Sequence, residues 1–151
     1  MPTGGPAPMK LLHISLTAKN ADSLAAFYKS VFGFQDRRPP KRLSGDLVSK
    51  GNGLPGSNIL SHWLAFPTAT GPFLEILEYD TTEDAPHRAP NAQVFGHLAF
   101  EVSDIHSTIA DIIAHGGSRQ GEIVNFGTQA APLLIIYMRD PEGNILELEQ
   151  P

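Results

Sequence analysis

The chain consists of two half-length repeats, and this duplication restricts its fold more than any other feature. Each half opens with a segment in which polar and apolar residues alternate, continues into an amphipathic helix, and closes on a strand rich in leucine and isoleucine. The order of the segments predicts a β-α-β-β-β unit in each half. Two copies of one such unit usually close a sheet around a shared cavity.

Composition divides the 151 residues into four segments. Residues 1–8, rich in proline and glycine, are interpreted as a disordered leader because they lack the basic and apolar regions of a signal peptide. The first module is predicted over 9–80 and the second over 94–151, with a linker at 81–93. Together the two modules are long enough to bury one core as a single compact domain.

The local signals are clear at most element ends. Asn20 and Gly33 are the predicted caps of the first helix, and Ser103 or Asp104 begins the second, which ends at Gly116-Gly117. Pro39-Pro40 is expected to break a short strand at 34–38. Further strands are predicted at about 10–18, 58–66, 72–79, 122–127, 132–139 and 145–150, the even positions Leu12, Ile14 and Leu16 of the first facing the core.

Composition also excludes several functions. A formal net charge of −5, without a basic stripe, argues against a nucleic-acid partner. The lack of cysteine rules out disulfides, thiolate metal sites and a cysteine nucleophile. No apolar run has the length of a membrane span, so a cytoplasmic protein is expected.

A histidine and a glutamate occupy equivalent positions in the two repeats. His13 and His97 lie on the opening strands, and Glu75 and Glu147 lie on the closing strands. One histidine or glutamate on a strand is usually an ordinary surface or core residue. Four at matching positions, all on the strand face opposite the aliphatic residues, favour a two-His, two-carboxylate site for a divalent cation.

Four other residues are candidates for substrate contact. His62, beside Trp63, either lines the same cavity or simply packs in the core, and the sequence does not separate the two. Glu101 lies on the same strand face as His97, although a solvated strand residue is the simpler interpretation. Arg37, with its neighbour Arg38, and Arg139 are candidates for binding an anionic group, and Arg139 could instead pair with Asp140.

Two motifs of the second half resemble a known superfamily. They are Gly-His-Leu-Ala-Phe-Glu-Val-Ser-Asp-Ile, from residue 96, and Arg-Asp-Pro-Glu-Gly-Asn-Ile-Leu-Glu-Leu, from residue 139. The first half matches through Phe-Tyr-Lys-Ser-Val-Phe-Gly-Phe and Leu-Glu-Ile-Leu-Glu-Tyr. Over about residues 9–150 the chain is similar to the vicinal oxygen chelate superfamily, which includes glyoxalase I, methylmalonyl-CoA epimerase, extradiol dioxygenases and fosfomycin- and bleomycin-resistance proteins.

The resemblance implies an α+β fold in which two paired βαβββ modules form an open, barrel-like mixed sheet around a metal cavity. It places the metal ligands on His13, Glu75, His97 and Glu147. The ion would be Ni, Co, Zn, Mn or Fe. A homodimer is expected, and in some relatives the ligands come from two chains.

The function that the resemblance implies is that of a metal-dependent lyase or isomerase, similar to glyoxalase or an epimerase. It would act on a small metabolite with adjacent oxygens through a metal-stabilised enediolate, with Glu147 or Glu75 as general base. One alternative is a non-catalytic, drug-sequestering binding protein, although relatives of that type lack the ligands. The other is a metal-dependent dioxygenase, a class whose members are usually about twice as long and use two histidines and one carboxylate.

Overall fold

A computed structural model describes residues 4–68, 70–85 and 87–151. Residues 1–3 of the predicted leader, Ala69 of the turn after β3 and Pro86 of the predicted linker lie outside the described residues. The described elements are β1 (His13–Thr17), α1 (Ala21–Phe32), β2 (Gln35–Ser44), α2 (Asp46–Asn52), β3 (Asn58–Ala65), β4 (Phe73–Tyr79), β5 (His97–Glu101), α3 (Ile105–Ala114), β6 (Ser118–Arg119), β7 (Val124–Asn125), β8 (Leu134–Arg139) and β9 (Ile145–Gln150).

Each half of the chain forms its own mixed sheet, which confirms the predicted α+β class. The first sheet has the strand order β1-β4-β3-β2, and the second has β5-β9-β8-β6, with β7 also paired to β8. In both sheets the opening strand runs parallel to the closing strand, and the remaining pairs are antiparallel. Within the described part of the chain the two sheets share no strand pairing and form no closed barrel.

The long helices begin at the predicted caps. The Asn20 side chain accepts a hydrogen bond of 3.0 Å from the Ser23 amide, and Asp104 accepts one of 3.1 Å from Ser107. Gly33 ends α1 with φ of 77°, a left-handed conformation that glycine adopts without steric cost. The glycine-rich segment between β2 and β3 contains the short helix α2, which the sequence pattern did not predict. None of the described helices is long and apolar enough to cross a membrane.

The prediction that Pro39-Pro40 ends the second strand is wrong. β2 continues for ten residues, and its pairing with β3 shifts register between Asp36 and Arg38 and again between Arg38 and Lys41. The prolines fall in the second irregularity, on a strand at the edge of the sheet. An edge strand tolerates proline because the missing N–H would otherwise have faced away from the sheet.

One core joins the two halves. Side chains of α1, α3 and the facing sides of β4, β8 and β9 form a single buried cluster. The prediction for β1 is wrong at two of its three apolar positions, since Leu12 and Ile14 are 64% and 43% exposed. Of these three residues, only Leu16 packs against the core.

The contact between α1 and the second half contains a buried polar bond. The Tyr28 hydroxyl donates a hydrogen bond of 2.7 Å to Asp140, and the Phe32 ring stacks on Phe100 at 4.0 Å. Burial raises the pKa of Asp140 above its usual value, although hydrogen bonds from Tyr28 and Asn144 oppose that shift. Burial, reinforced by the nearby Asp140 charge, raises the pKa of Tyr28 well above its usual value. The charged form of the buried Asp140 carboxyl is therefore stabilised by the hydrogen bonds from Tyr28 and Asn144.

We expect Tyr28→Phe to lower the free energy of unfolding by about 1.5–3 kcal/mol, because it removes a hydrogen bond to a buried carboxyl group. Urea unfolding followed by circular dichroism measures the change. The matched control is Tyr79→Phe, since the Tyr79 hydroxyl makes no hydrogen bond within the described residues. A loss in Tyr28→Phe no larger than that of the control would contradict the role assigned to this bond.

Candidate functional site

The first predicted pair comes together on the face of its sheet opposite α1. His13 Nε2 lies 3.4 Å from Glu75 Oε1, and both side chains remain partly accessible. The contact follows from the parallel pairing of β1 with β4, in which Ser15 is the register partner of Glu75. Because alternate residues share a face, His13 reaches the same side of the sheet as Glu75.

Aromatic rings surround this pair. The Trp63 indole N–H donates a hydrogen bond of 2.8 Å to Glu75 Oε2, the oxygen that does not face His13. The Phe73 ring lies 5.0 Å from the His13 ring and 4.9 Å from the Trp63 ring. One oxygen of Glu75 is thus held by the indole, and the other remains directed at the histidine. Outer contacts of this kind orient metal ligands in proteins.

The second pair repeats the arrangement with one difference. His97 Nε2 lies 3.1 Å from Glu147 Oε2, and the Tyr137 ring lies 4.9 Å from the His97 ring. Tyr137 is the register partner of Glu147, as Trp63 is of Glu75. No donor corresponding to the indole reaches Glu147 within the described residues, so its carboxylate is less restrained.

The structure brings the four residues together as two pairs and not as one group. Among the described residues, no three or more His, Asp and Glu side chains are close enough together to hold a metal ion. The two pairs stay apart because the sheets pack together through the sides that bear the helices, where the shared core lies. The two pairs, here called the His13 half-site and the His97 half-site, lie on the outward sides.

The donor chemistry fits a divalent metal ion. Each half-site presents one imidazole nitrogen and one carboxylate oxygen directed at each other. Imidazole and carboxylate are ligands that Zn, Ni, Co, Mn and Fe all accept. One half-site has two ligands, fewer than a stable protein site normally supplies, and the two half-sites together have four.

An apolar cavity lies beside the His97 half-site. It has a volume of about 600 Å³ and is lined by Glu147 and Tyr137 together with Val124, Phe126 and Ile135. Sequence reasoning missed it because β7 is only two residues long and its pairing with β8 depends on tertiary contacts. The cavity offers an uncharged part of a ligand a place next to the Glu147 carboxylate.

His62 does not line the predicted cavity. It is the register partner of Ile76 and lies on the helix side of β3, where it is buried with Nε2 2.7 Å from Asp22 of α1. Trp63, the next residue, occupies the site face instead. Both faces of β3 contain buried residues, so period-two alternation could not show which face of this strand belongs to the site.

Arg139 lies in a buried hydrogen-bond network. Its guanidinium is buried and donates hydrogen bonds to Gln120 Oε1 and to the carbonyl oxygens of Gly143 and Arg88, at 2.6 to 2.7 Å. It therefore fastens the linker and the turn after β8 to the second sheet. No ion pair between Arg139 and Asp140 occurs among the described residues.

Glu101 and Arg37 lie where substrate contact is possible. Glu101 is exposed on β5, two residues beyond His97 and on the same strand face. The Arg37 guanidinium lies 4.4 Å from the centre of the Phe73 ring, and that of Arg38 lies 3.9 Å from the centre of the Trp63 ring. Both arginines are therefore next to the rings that surround the His13 half-site.

Comparison with known proteins gives the chain a family. The profile of the Glyoxalase/Bleomycin resistance protein/Dioxygenase superfamily matches residues 10–148. Human mitochondrial methylmalonyl-CoA epimerase is 23% identical over 141 residues, which cover 93% of this chain and 73% of that protein.

Solved structures agree on the fold. A glyoxalase family protein from Bacillus cereus superposes with a TM-score of 0.85 at 18% identity, covering 99% of this chain and 97% of that one. The trypanothione-dependent glyoxalase I of Leishmania major superposes with a TM-score of 0.62 at 19% identity, covering 95% and 87%. Since the family profile spans nearly the whole sequence, the chain belongs to the Glyoxalase/Bleomycin resistance protein/Dioxygenase superfamily, the vicinal oxygen chelate proteins.

Proposed function

We propose that this protein is a metal-dependent isomerase or lyase for a small metabolite with adjacent oxygens, and that each metal site forms between two copies of the chain. The observation that carries the proposal is the pair of matching half-sites. Each places one histidine nitrogen against one carboxylate oxygen, at 3.4 Å and 3.1 Å, while one chain keeps the two half-sites apart.

The strands that carry the histidines favour a second copy as the completing partner. β1 and β5 are edge strands of their sheets, so each has one side with unpaired backbone groups. The segments that lead into them expose large apolar side chains: Met9, Leu11 and Leu12 before β1, and Val94 and Phe95 before β5. Apolar patches of this kind mark interaction surfaces.

A twofold-symmetric dimer satisfies both edges at once. If the β1 region of each copy faces the β5 region of the other, the same contact occurs twice, as isologous symmetry requires. The His13 half-site of each copy then faces the His97 half-site of its partner. The dimer has two complete sites, each with two histidines and two glutamates.

Four ligands of this type suit a hexacoordinate ion with two positions left for substrate. His13, Glu75, His97 and Glu147 would hold it, and when bound it supplies Lewis-acid stabilisation of negative charge on substrate oxygens. The distant similarity to methylmalonyl-CoA epimerase supports proton transfer next to a carbonyl as the reaction.

The difference between the glutamates assigns the general base. Trp63 holds Glu75 Oε2 at 2.8 Å, so that carboxylate is suited to a fixed ligand role. Glu147 has no such donor within the described part of the chain, and it borders the apolar cavity. A carboxylate that can move toward the substrate and lies in an apolar surrounding is the better proton acceptor. Glu147 would take the proton from carbon and return it.

The shared site predicts complementation between two metal-deficient variants. His13→Ala/Glu75→Ala removes one half-site, and His97→Ala/Glu147→Ala removes the other. Each variant alone should bind little metal, whereas their mixed dimer contains one intact site and one empty site. Coexpression should give about a quarter of the wild-type metal content, since half of randomly formed dimers are mixed. Plasma mass spectrometry on untagged protein measures the content.

The matched control is His106→Ala/Glu83→Ala, which removes an exposed histidine and an exposed glutamate and should leave metal content unchanged. Native mass spectrometry identifies the mixed dimers. Mixed dimers that stay as empty as the separate variants would contradict the shared site. A wild-type protein that stays empty after incubation with Ni, Co, Zn, Mn and Fe would contradict the metal-dependent function itself.

The assignment of the base predicts different effects for the two glutamates. With saturating metal, Glu147→Gln should lower kcat by about 10²- to 10⁴-fold, since an amide cannot accept the proton. Glu75→Gln should mainly weaken metal binding and recover much of its kcat when metal is added. The readout is deuterium incorporation from D₂O next to the thioester of methylmalonyl-CoA, with the hemithioacetal of methylglyoxal and glutathione as second substrate.

Equal losses of kcat in the two variants at saturating metal would contradict the assignment of Glu147. Deuterium incorporation into neither compound by metal-loaded wild type, with tight binding of one of them, would favour the non-catalytic binding protein. The apolar cavity beside Glu147 is the feature that such a protein would use.

A further inference from the structure

The irregularity in β2 brings two consecutive arginines to the same face of the first sheet. In a regular strand, neighbouring side chains point to opposite faces. The register shift between Asp36 and Arg38 changes this, because the extra residue of a bulge redirects a side chain. Arg37 and Arg38 both contact rings on the site face, Phe73 and Trp63 respectively.

The arginines lie one ring away from the His13 half-site. The Arg37 guanidinium lies 4.4 Å from the centre of the Phe73 ring, and that ring is 5.0 Å from the His13 ring. The Arg38 guanidinium lies 3.9 Å from the centre of the Trp63 ring, whose N–H donates a hydrogen bond to Glu75. These two guanidiniums and the two rings beneath them are here called the arginine platform.

The platform has no carboxylate partner within the described residues. Two other basic side chains nearby are paired, Lys29 with Asp36 at 2.8 Å and Arg42 with Asp80 at 3.5 Å, whereas Lys41 of the same strand has no carboxylate partner among the described residues. Arg38 donates only to neutral oxygens, Ser61 Oγ at 3.0 Å and the Pro39 carbonyl at 3.2 Å. Arg37 and Arg38 thus place two adjacent positive charges beside the His13 half-site of a chain whose net charge is −5.

We propose that the arginine platform binds a remote anionic group of the substrate, a carboxylate or a phosphate. This rests on the proposed function, since the adjacent oxygens of the same substrate would lie at the metal. Guanidinium groups bind both anions through paired N–H donors. The ring contacts involve the flat faces of the guanidiniums, so the edge N–H groups of Arg37 stay available, and Arg38 keeps the donors that Ser61 and Pro39 do not use. An anion would therefore bind with little further ordering.

The only tryptophan of the chain provides a direct readout, because Arg38 lies over the Trp63 ring. Metal-free protein is titrated with inorganic phosphate and with glutarate while Trp63 emission is recorded. Neutral glutaramide, and sodium chloride at equal ionic strength, control for solvent effects. The test variant is Arg37→Gln/Arg38→Gln, and the matched control is Arg42→Gln, which removes a paired arginine from the same strand.

We expect a saturable change in emission with phosphate or glutarate, none with glutaramide or chloride, and binding at least about tenfold weaker in the double variant. Arg42→Gln should bind as the wild type does. The anion that binds more tightly identifies the group as phosphate or carboxylate. No saturable response in the wild type, or an equal loss in Arg42→Gln, would overturn the proposal.

Metal content measured on the same preparations separates this inference from the proposed function. Wild-type protein that binds metal without a saturable anion response would overturn the arginine platform alone. Protein that binds the anions but takes up no metal would support the platform and contradict the metal-dependent function. In that case the anion site belongs to a binding protein.

Discussion

The packing of the two halves through their helix sides determines everything else in this structure. α1 reaches the second half through the stacked Phe32 and Phe100 rings and through the Tyr28 hydrogen bond to Asp140. Since that contact uses the helix side of both sheets, the opposite sides stay open. Those open sides carry every residue to which the proposed chemistry is assigned. The hydrogen bonds to the buried Asp140 stabilise the contact between the two halves. That contact determines which sheet faces remain accessible.

The open sides explain why the proposed site needs a second chain. A closed arrangement of the two sheets within one chain would cover the edge strands β1 and β5, whereas here both remain uncovered and expose apolar residues beside them. In the proposed dimer, burial of those side chains supplies the driving force for association. The same association brings His13 and Glu75 to the other chain's His97 and Glu147. Metal binding and dimer stability would then be linked, because each favours the other.

Sequence reasoning worked where the signal was local or repeated. The caps at Asn20 and Asp104 are short-range hydrogen bonds, and the His–Glu pairs follow from strand alternation applied twice to equivalent segments. It failed where tertiary contacts decide. His62 and Trp63 are adjacent on a strand buried on both faces, so the sequence could not assign the site face. Arg139 is buried and donates to the carbonyl oxygen of Arg88, a partner 51 residues away that the sequence could not identify. β2 passes through two prolines because its position at the sheet edge makes the missing N–H harmless.

The two halves differ in what surrounds their matching His–Glu pairs. In the first half, Glu75 is held by an indole and flanked by two cations stacked on aromatic rings. In the second, Glu147 has no indole donor and borders an apolar cavity. Two identical halves would give a symmetric site with no means of telling one end of a substrate from the other. The proposed site has the arginine platform on one side and the apolar cavity on the other. A ligand with one anionic end and one uncharged end would therefore bind in one orientation. In that orientation it presents the same carbon to Glu147 each time.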